Sequence, residues 1–167
     1  MATLLQINNL SKSYGPHMIF DEANLVVNDN QKIAVLGRNG AGKSTLFKII
    51  ISEEPFDTGQ NNVHERTRIG YLTQHAEYND TETVIEYLMR SSGKEDWECG
   101  KIAGQFQLKN ELLDTKVLSL AGGYQMRVKL TAMLLKEPNL LLLDEPTNYL
   151  DLSTQLLLEK FLQAYKG

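Results

Sequence analysis

Gly37, Arg38, Asn39, Gly40, Ala41, Gly42, Lys43 and Ser44 fill every fixed position of the pattern G-x-x-x-x-G-K-[ST]. The chemistry open to such a stretch is the holding of phosphate. Glycines at 37, 40 and 42 let the backbone take φ > 0 and approach a ligand closely, so that successive N–H groups converge on phosphate oxygens at a helix N-terminus. Lys43 supplies a point charge for β- and γ-phosphates, Ser44 a hydroxyl for a Mg²⁺ bridging them, and Thr45 a further phosphate contact. A second group of such residues closes an apolar run: Leu140, Leu141, Leu142 and Leu143 lead into Asp144 and Glu145. Asp144 is placed to be a second Mg²⁺ ligand, through water, and Glu145 to orient or deprotonate an attacking water. The plainer readings are a glycine-rich turn and an acid pair capping a strand. A phosphate-binding strand demands an acidic partner strand of this kind, so the two groups support one another.

These groups need elements to hold them. Residues 33–36 are a short apolar run rich in β-branched types, read as a buried strand, and residues 45–51 continue as a helix. The run 140–143 fits a strand buried on both faces. Upstream, residues 4–10 alternate weakly as a strand, 11–16 form a turn, and 18–27 form a second strand, together an antiparallel edge; 28–31 is a polar turn. Residues 55–62 read as a turn and 63–72 as a strand, which puts Gln74 at a carboxyl end where α/β sheets present ligand-facing groups. From Thr81 helical spacing takes over, with Val84, Ile85, Leu88 and Met89, and a polar segment 91–99 follows in which Trp97 reads as a packing anchor. A glycine-bearing turn at 118–123 leads into a helix over 124–136, with Met126, Leu130, Met133 and Leu134 on one face and Pro138 beyond its end. The last helix is read over 153–165, with Ser153 or Asp151 as its N-cap and Gly167 as its C′ residue.

The 167 residues, 42% hydrophobic and 23% charged, suit one globular domain. A net charge of −4, from 21 acids against 17 bases, gives no general attraction to nucleic acid or anionic membrane. A lone Cys99, the lack of a signal-type apolar segment and the lack of an apolar run near 18 residues predict a reduced, cytoplasmic protein without direct membrane insertion.

Taken together, these residues resemble the nucleotide-binding domain of the ABC ATPase family over the whole chain. Tyr14 is similar to the aromatic residue that stacks on adenine, residues 37–45 to the Walker A loop, and Gln74 to the Q-loop residue that senses Mg²⁺ and the γ-phosphate. Leu120, Ala121, Gly122, Gly123, Tyr124 and Gln125 resemble the ABC signature, which reads nucleotide held by a facing domain. Residues 140–145 resemble the Walker B strand with its catalytic glutamate, and Asn148, Tyr149, Leu150 and Asp151 the D-loop. The resemblance implies an α/β fold: a P-loop NTPase core with an antiparallel β edge and a small helical subdomain at about 76–136. It also implies ATP and Mg²⁺ as ligands and a second ABC domain, tandem or homodimeric, as partner. The run from Gly122 to Val128 with Asp144 to Asp151 looks most like the soluble ABC-F branch, whose members act on the ribosome. The alternatives are the ATP-binding subunit of a membrane transporter and a nucleotide-sensing module that does not hydrolyse. The long helical arm common between Q-loop and signature in the first domain of the ABC-F branch is missing here.

Two departures from the family pattern bear on mechanism. Ala121 replaces the signature's usual serine, removing a hydroxyl bond of about 0.5–1.5 kcal/mol while the amides of Gly122 and Gly123 remain. The switch histidine follows Walker B on the next strand in the family, whereas the histidines here are His17, His64 and His75. The resemblance therefore implies that the last part of the core is missing. It further implies very weak hydrolysis by the isolated chain, and a sheet that repacks or borrows a strand.

Overall fold

β1 (Thr3–Tyr14) and β2 (His17–Asn28) form an antiparallel hairpin through a two-residue turn, in which Gly15 takes φ 58 ahead of Pro16. In this computed structural model, which describes residues 2–72, 78–148 and 150–165, the further elements follow in order. They are α1 (Lys43–Ile50), β3 (Thr58–Val63), β4 (Ile69–Leu72), α2 (Val84–Ser92), α3 (Asp96–Gln105), α4 (Asn110–Leu113), a 3₁₀ turn (Val117–Ser119), α5 (Gly122–Leu135), β5 (Leu140–Leu143) and α6 (Leu152–Ala164). The strands make a three-stranded sheet in the order β2-β1-β3 and a two-stranded sheet of β4 and β5.

The described residues divide into two compact units, 2–69 with 139–144, and 70–138 with 145–165. The first is built on β1. Its alternation is out of step by one residue: Leu5 and Ile7 face inward, then Leu10 and Lys12 do so. Asn9, at φ 47, is the extra residue, and pairing with both β2 and β3 jumps there. Asn9 N–H donates to Asn24 Oδ1 at 3.0 Å. The bulged backbone leaves room only for glycine on the next strand, because a Cβ at Gly59 would lie 2.4 Å from Asn9 O. Ile49 and Ile50 of α1 are buried, and Asn61 Nδ2 donates to Ile49 O at 2.8 Å. Asn139, just before β5, receives Arg68 N–H on its side-chain oxygen and returns its own N–H to Arg68 O.

The second unit gathers Val84, Leu88, Cys99, Ala103, Val117, Val128 and Ala132 into its core. Its helices carry their own termini: Thr83 and Glu86 form a capping box for α2, and Gly93 at φ 68 ends that helix. Phe161 of α6 lies 5.7 Å from Phe106 and 5.4 Å from Tyr165 between ring centroids.

Four expectations are corrected. Residues 33–36 join neither sheet among the described residues; Ile33 is 48% and Leu36 91% exposed. A β-rich run becomes a strand only where a neighbouring backbone meets its N–H and C=O groups. The turn read at 55–62 is largely β3, whose polar Gln60, Asn61 and Asn62 pair with β1 through main-chain groups and so leave no apolar signal. Trp97 is not a packing anchor, being 66% exposed in the first turn of α3. In α5 the buried set is Arg127, Val128, Leu130, Thr131, Ala132, Met133 and Leu135, so the helix is enclosed on most sides rather than along one stripe.

Candidate nucleotide site

The loop before α1 has the conformation its glycines predict at two of three positions, with Gly40 at φ 82 and Gly42 at φ 93. Gly37 does not take positive φ. Its glycine serves close packing, since a Cβ there would lie 3.1 Å from Ala41 Cβ. Gly42 is the N-cap of α1; no side chain caps that end and no acid lies in its first turn. The free N–H groups and the positive end of the helix dipole therefore converge on a place suited to an anion. Lys43 Nζ donates to Gly37 O and Arg38 O at 3.0 and 3.1 Å, which folds its charge onto the loop. Ser44 and Thr45 follow in the first turn, with Arg38, Asn39 and Ala41 along the loop.

Tyr14 ends β1 with 46% of its surface exposed, and Lys12 Nζ lies over its ring, 4.6 Å from the centroid. Asp144 follows β5. Glu145 takes φ 45, a rare conformation outside glycine, and its carboxylate accepts a short hydrogen bond from Asn148 Nδ2. Gln74 and Tyr149 lie outside the described residues.

In the second unit, Ala121 is the N-cap of α5, again without a side-chain cap, and Gly122 and Gly123 open the helix. Gln125 Nε2 donates to Leu120 O at 3.0 Å. Asp151 caps α6 by accepting from Thr154 N at 2.9 Å. The structure brings Asp151 and Gly123 together: a Cβ at Gly123 would lie 2.2 Å from Asp151 Oδ2. Arg127, which the sequence reading did not single out, joins them. It is 5% exposed, donating from Nε to Thr154 Oγ1 at 3.0 Å and from a terminal nitrogen to Ser153 Oγ at 2.6 Å, with its guanidinium 4.9 Å from the Tyr124 ring centroid. Arginine four residues past a glycine pair is the only clue the sequence offered.

The Ser153 hydroxyl, then the Thr154 N–H and hydroxyl, pull the Asp151 carboxyl down from 3.8 to about 2. A carboxyl lowered on folding stabilises the fold above its unfolded value and loses that contribution as pH falls through the folded one. The stability gap between the parent and Asp151→Ala is therefore expected to hold above about pH 4 and to close between about pH 4 and 2. Urea midpoints across that range measure it, and a gap that stays constant down to pH 2 would refute it.

Against this geometry the family is plain. The chain belongs to the ABC family: the family model described as "ABC transporter" matches residues 20–148. Domains of this family bind and hydrolyse ATP with Mg²⁺ and work in pairs.

The chain is similar, at 34% identity over 172 residues, to the ATP-binding protein Uup of Buchnera aphidicola subsp. Acyrthosiphon pisum, covering 99% of this chain and 29% of that protein. It is 35% identical over 171 residues to ABC transporter F family member 2 of Arabidopsis thaliana, covering 99% of this chain and 25% of that protein. The chain thus spans less than a third of these curated relatives. Among solved structures, an ATP binding subunit of an ABC transporter aligns with TM-score 0.81 at 24% identity over 95% of this chain and 73% of its own. The family and the fold class expected from the motifs agree with these matches, and the F-type relative agrees with the branch. Among the described residues, no helix is long and apolar enough to cross a membrane.

Proposed function

We propose that this chain is the ATP-binding part of an ABC-F type ATPase that acts on the ribosome. The observation that carries the reading is the loop at 37–44. It leads into an uncapped helix N-terminus and bears a lysine whose ammonium can turn from Gly37 O and Arg38 O to phosphate. Triphosphate would rest on the amides of this loop with Lys43 and Thr45. Mg²⁺ would be held by Ser44, with Asp144 and Gln74 through water, supplying charge neutralisation at the β- and γ-phosphate oxygens. Tyr14 takes the base.

Glu145 is the group assigned to the water. Asn148 Nδ2 occupies one oxygen of its carboxylate and orients it, and the other oxygen is the one open to a water. Gly122 and Gly123, with Ala121 and Gln125, would read the nucleotide of a facing domain, and the second domain would return its own signature to this one.

The full-length protein carrying Glu145→Gln is expected to sediment with ribosomes in MgATP, and the Lys43→Ala protein to remain in the supernatant. If neither sediments while Glu145→Gln still binds ATP, the ribosome role is wrong and the transporter reading replaces it. If Lys43→Ala binds MgATP as tightly as the parent, the phosphate loop has been misread.

A further inference from the structure

We infer that Lys12 and Glu54 are a positioning pair that fixes the Tyr14 ring for stacking against a purine base, so that they govern affinity for the base rather than for the phosphates. The inference rests on the reading of Tyr14 as the residue that receives the base. Lys12 is an unusual residue on this strand. Only 6% of it is exposed, and the bulge at Asn9 turns it onto the inward face of β1. A buried ammonium is costly unless its donors are met. Here it bonds Glu54 Oε1 at 2.7 Å and Pro55 O at 2.7 Å, and its remaining side faces the Tyr14 ring. Lys12 and Tyr14 are two residues apart, on the same face of the strand.

Glu54 acts on the ring through Lys12. Its carboxyl is held below its usual value first by the hydrogen bond to Lys12 and next by the nearby Tyr14 hydroxyl, while Lys12 is raised chiefly by Glu54. The ring is thus covered on one face by an ammonium that the carboxylate holds in place, and 46% of Tyr14 stays exposed. Two effects on a stacked base follow. A ring already held loses less rotamer freedom when the base arrives. A cation on one face also draws π density toward itself, which reduces the repulsion that a purine π cloud meets on the other face.

The pair also ties the base end to the phosphate end of the site. Glu54 N–H donates to Lys48 O in the last turn of α1, the helix whose first turn follows the phosphate loop. Asp57, a few residues on, accepts from Ser13 N–H at 2.7 Å, next to Tyr14. A plain ion pair holding residues 54–57 against β1 would account for the contacts, but it would act equally on any ligand of the loop. Comparing a ligand that has a base with one that lacks it separates the two roles.

The test measures Kd for MgATP and for magnesium tripolyphosphate by titration calorimetry on the full chain carrying Lys12→Met, Glu54→Gln or Tyr14→Ala. Tyr14→Ala is expected to weaken MgATP about tenfold and to leave tripolyphosphate within about twofold. Lys12→Met and Glu54→Gln are expected to show the same selectivity at about three- to fivefold. Equal losses for both ligands, or no loss for either, in Lys12→Met and Glu54→Gln would overturn the positioning role while the base reading of Tyr14 stood. Absence of any base-dependent loss in Tyr14→Ala would overturn that reading, and this inference with it. Should Lys12→Met fail to fold, Glu54→Gln, on a side chain 24% exposed, decides by the same criterion.

Discussion

Gly42→Ala will unfold at markedly lower urea concentration than the parent and will lose MgATP binding. Two costs add at this position. At φ 93 an L side chain is strained by about 1–2 kcal/mol. The new Cβ would also stand 2.3 Å from Ile19 Cγ2 and 3.0 Å from Phe20 Cζ, side chains of β2 that are already half-buried. Overpacking of this kind costs about 1–3 kcal/mol, so the total is about 2–5 kcal/mol. Gly40→Ala is the control. Its φ of 82 is equally left-handed, but nothing lies within 4 Å of its Cβ, so only the strain remains. Comparable losses at 40 and 42 would show that crowding against β2 is unimportant. The expected order, with Gly42→Ala much the worse, ties the phosphate loop to the hairpin that carries Tyr14.

The second large effect is expected at Arg127. Arg127→Met keeps the length of the stem but removes every donor from a guanidinium that serves Thr154, Ser153 and Gln107. Thr154 is fully buried and cannot recruit water in compensation. Losing several such bonds is expected to cost about 2–4 kcal/mol, seen as a lower urea midpoint. Amide exchange in the first turn of α6 should rise as well, because the arginine braces the residues that cap it. Lys94→Met is the comparison: that lysine pairs with Glu137 and Glu98 at the surface, and its loss should cost far less. An Arg127→Met protein as stable as Lys94→Met would mean that the buried guanidinium contributes packing alone.

Much of this was legible in the sequence because it rests on local chemistry. Glycine spacing announced the loop, the turn ending at Gly15-Pro16 between two apolar segments announced the hairpin, and the spacing of Val84, Ile85, Leu88 and Met89 announced α2. Other features escaped because they depend on partners distant in sequence. β3 is polar, and only its pairing with β1 makes it a strand. Residues 33–36 have every property of a strand except a neighbour to pair with. Arg127 was passed over because arginine at a helix surface is normally solvated, and only the approach of Ser153 and Thr154 makes this one internal. Residues 4–10 alternate weakly for a reason that periodicity cannot show, namely the extra residue at Asn9.

That extra residue gives β1 something like a reading frame. Excising Asn9 would leave Ile7, Leu10, Lys12 and Tyr14 in one uninterrupted alternation, so both halves of the strand would keep their inward faces. A single deletion outside the bulge would put the segment leading to Tyr14 out of phase and swap Lys12 and Tyr14 for their serine neighbours. Gly59 is bound to the same punctuation, since Asn8 O, Asn9 O and Leu10 Cα are what crowd it. Asn9 is thus one of several places where β1 steps out of register with its neighbours, and the one that a glycine answers from fifty residues away.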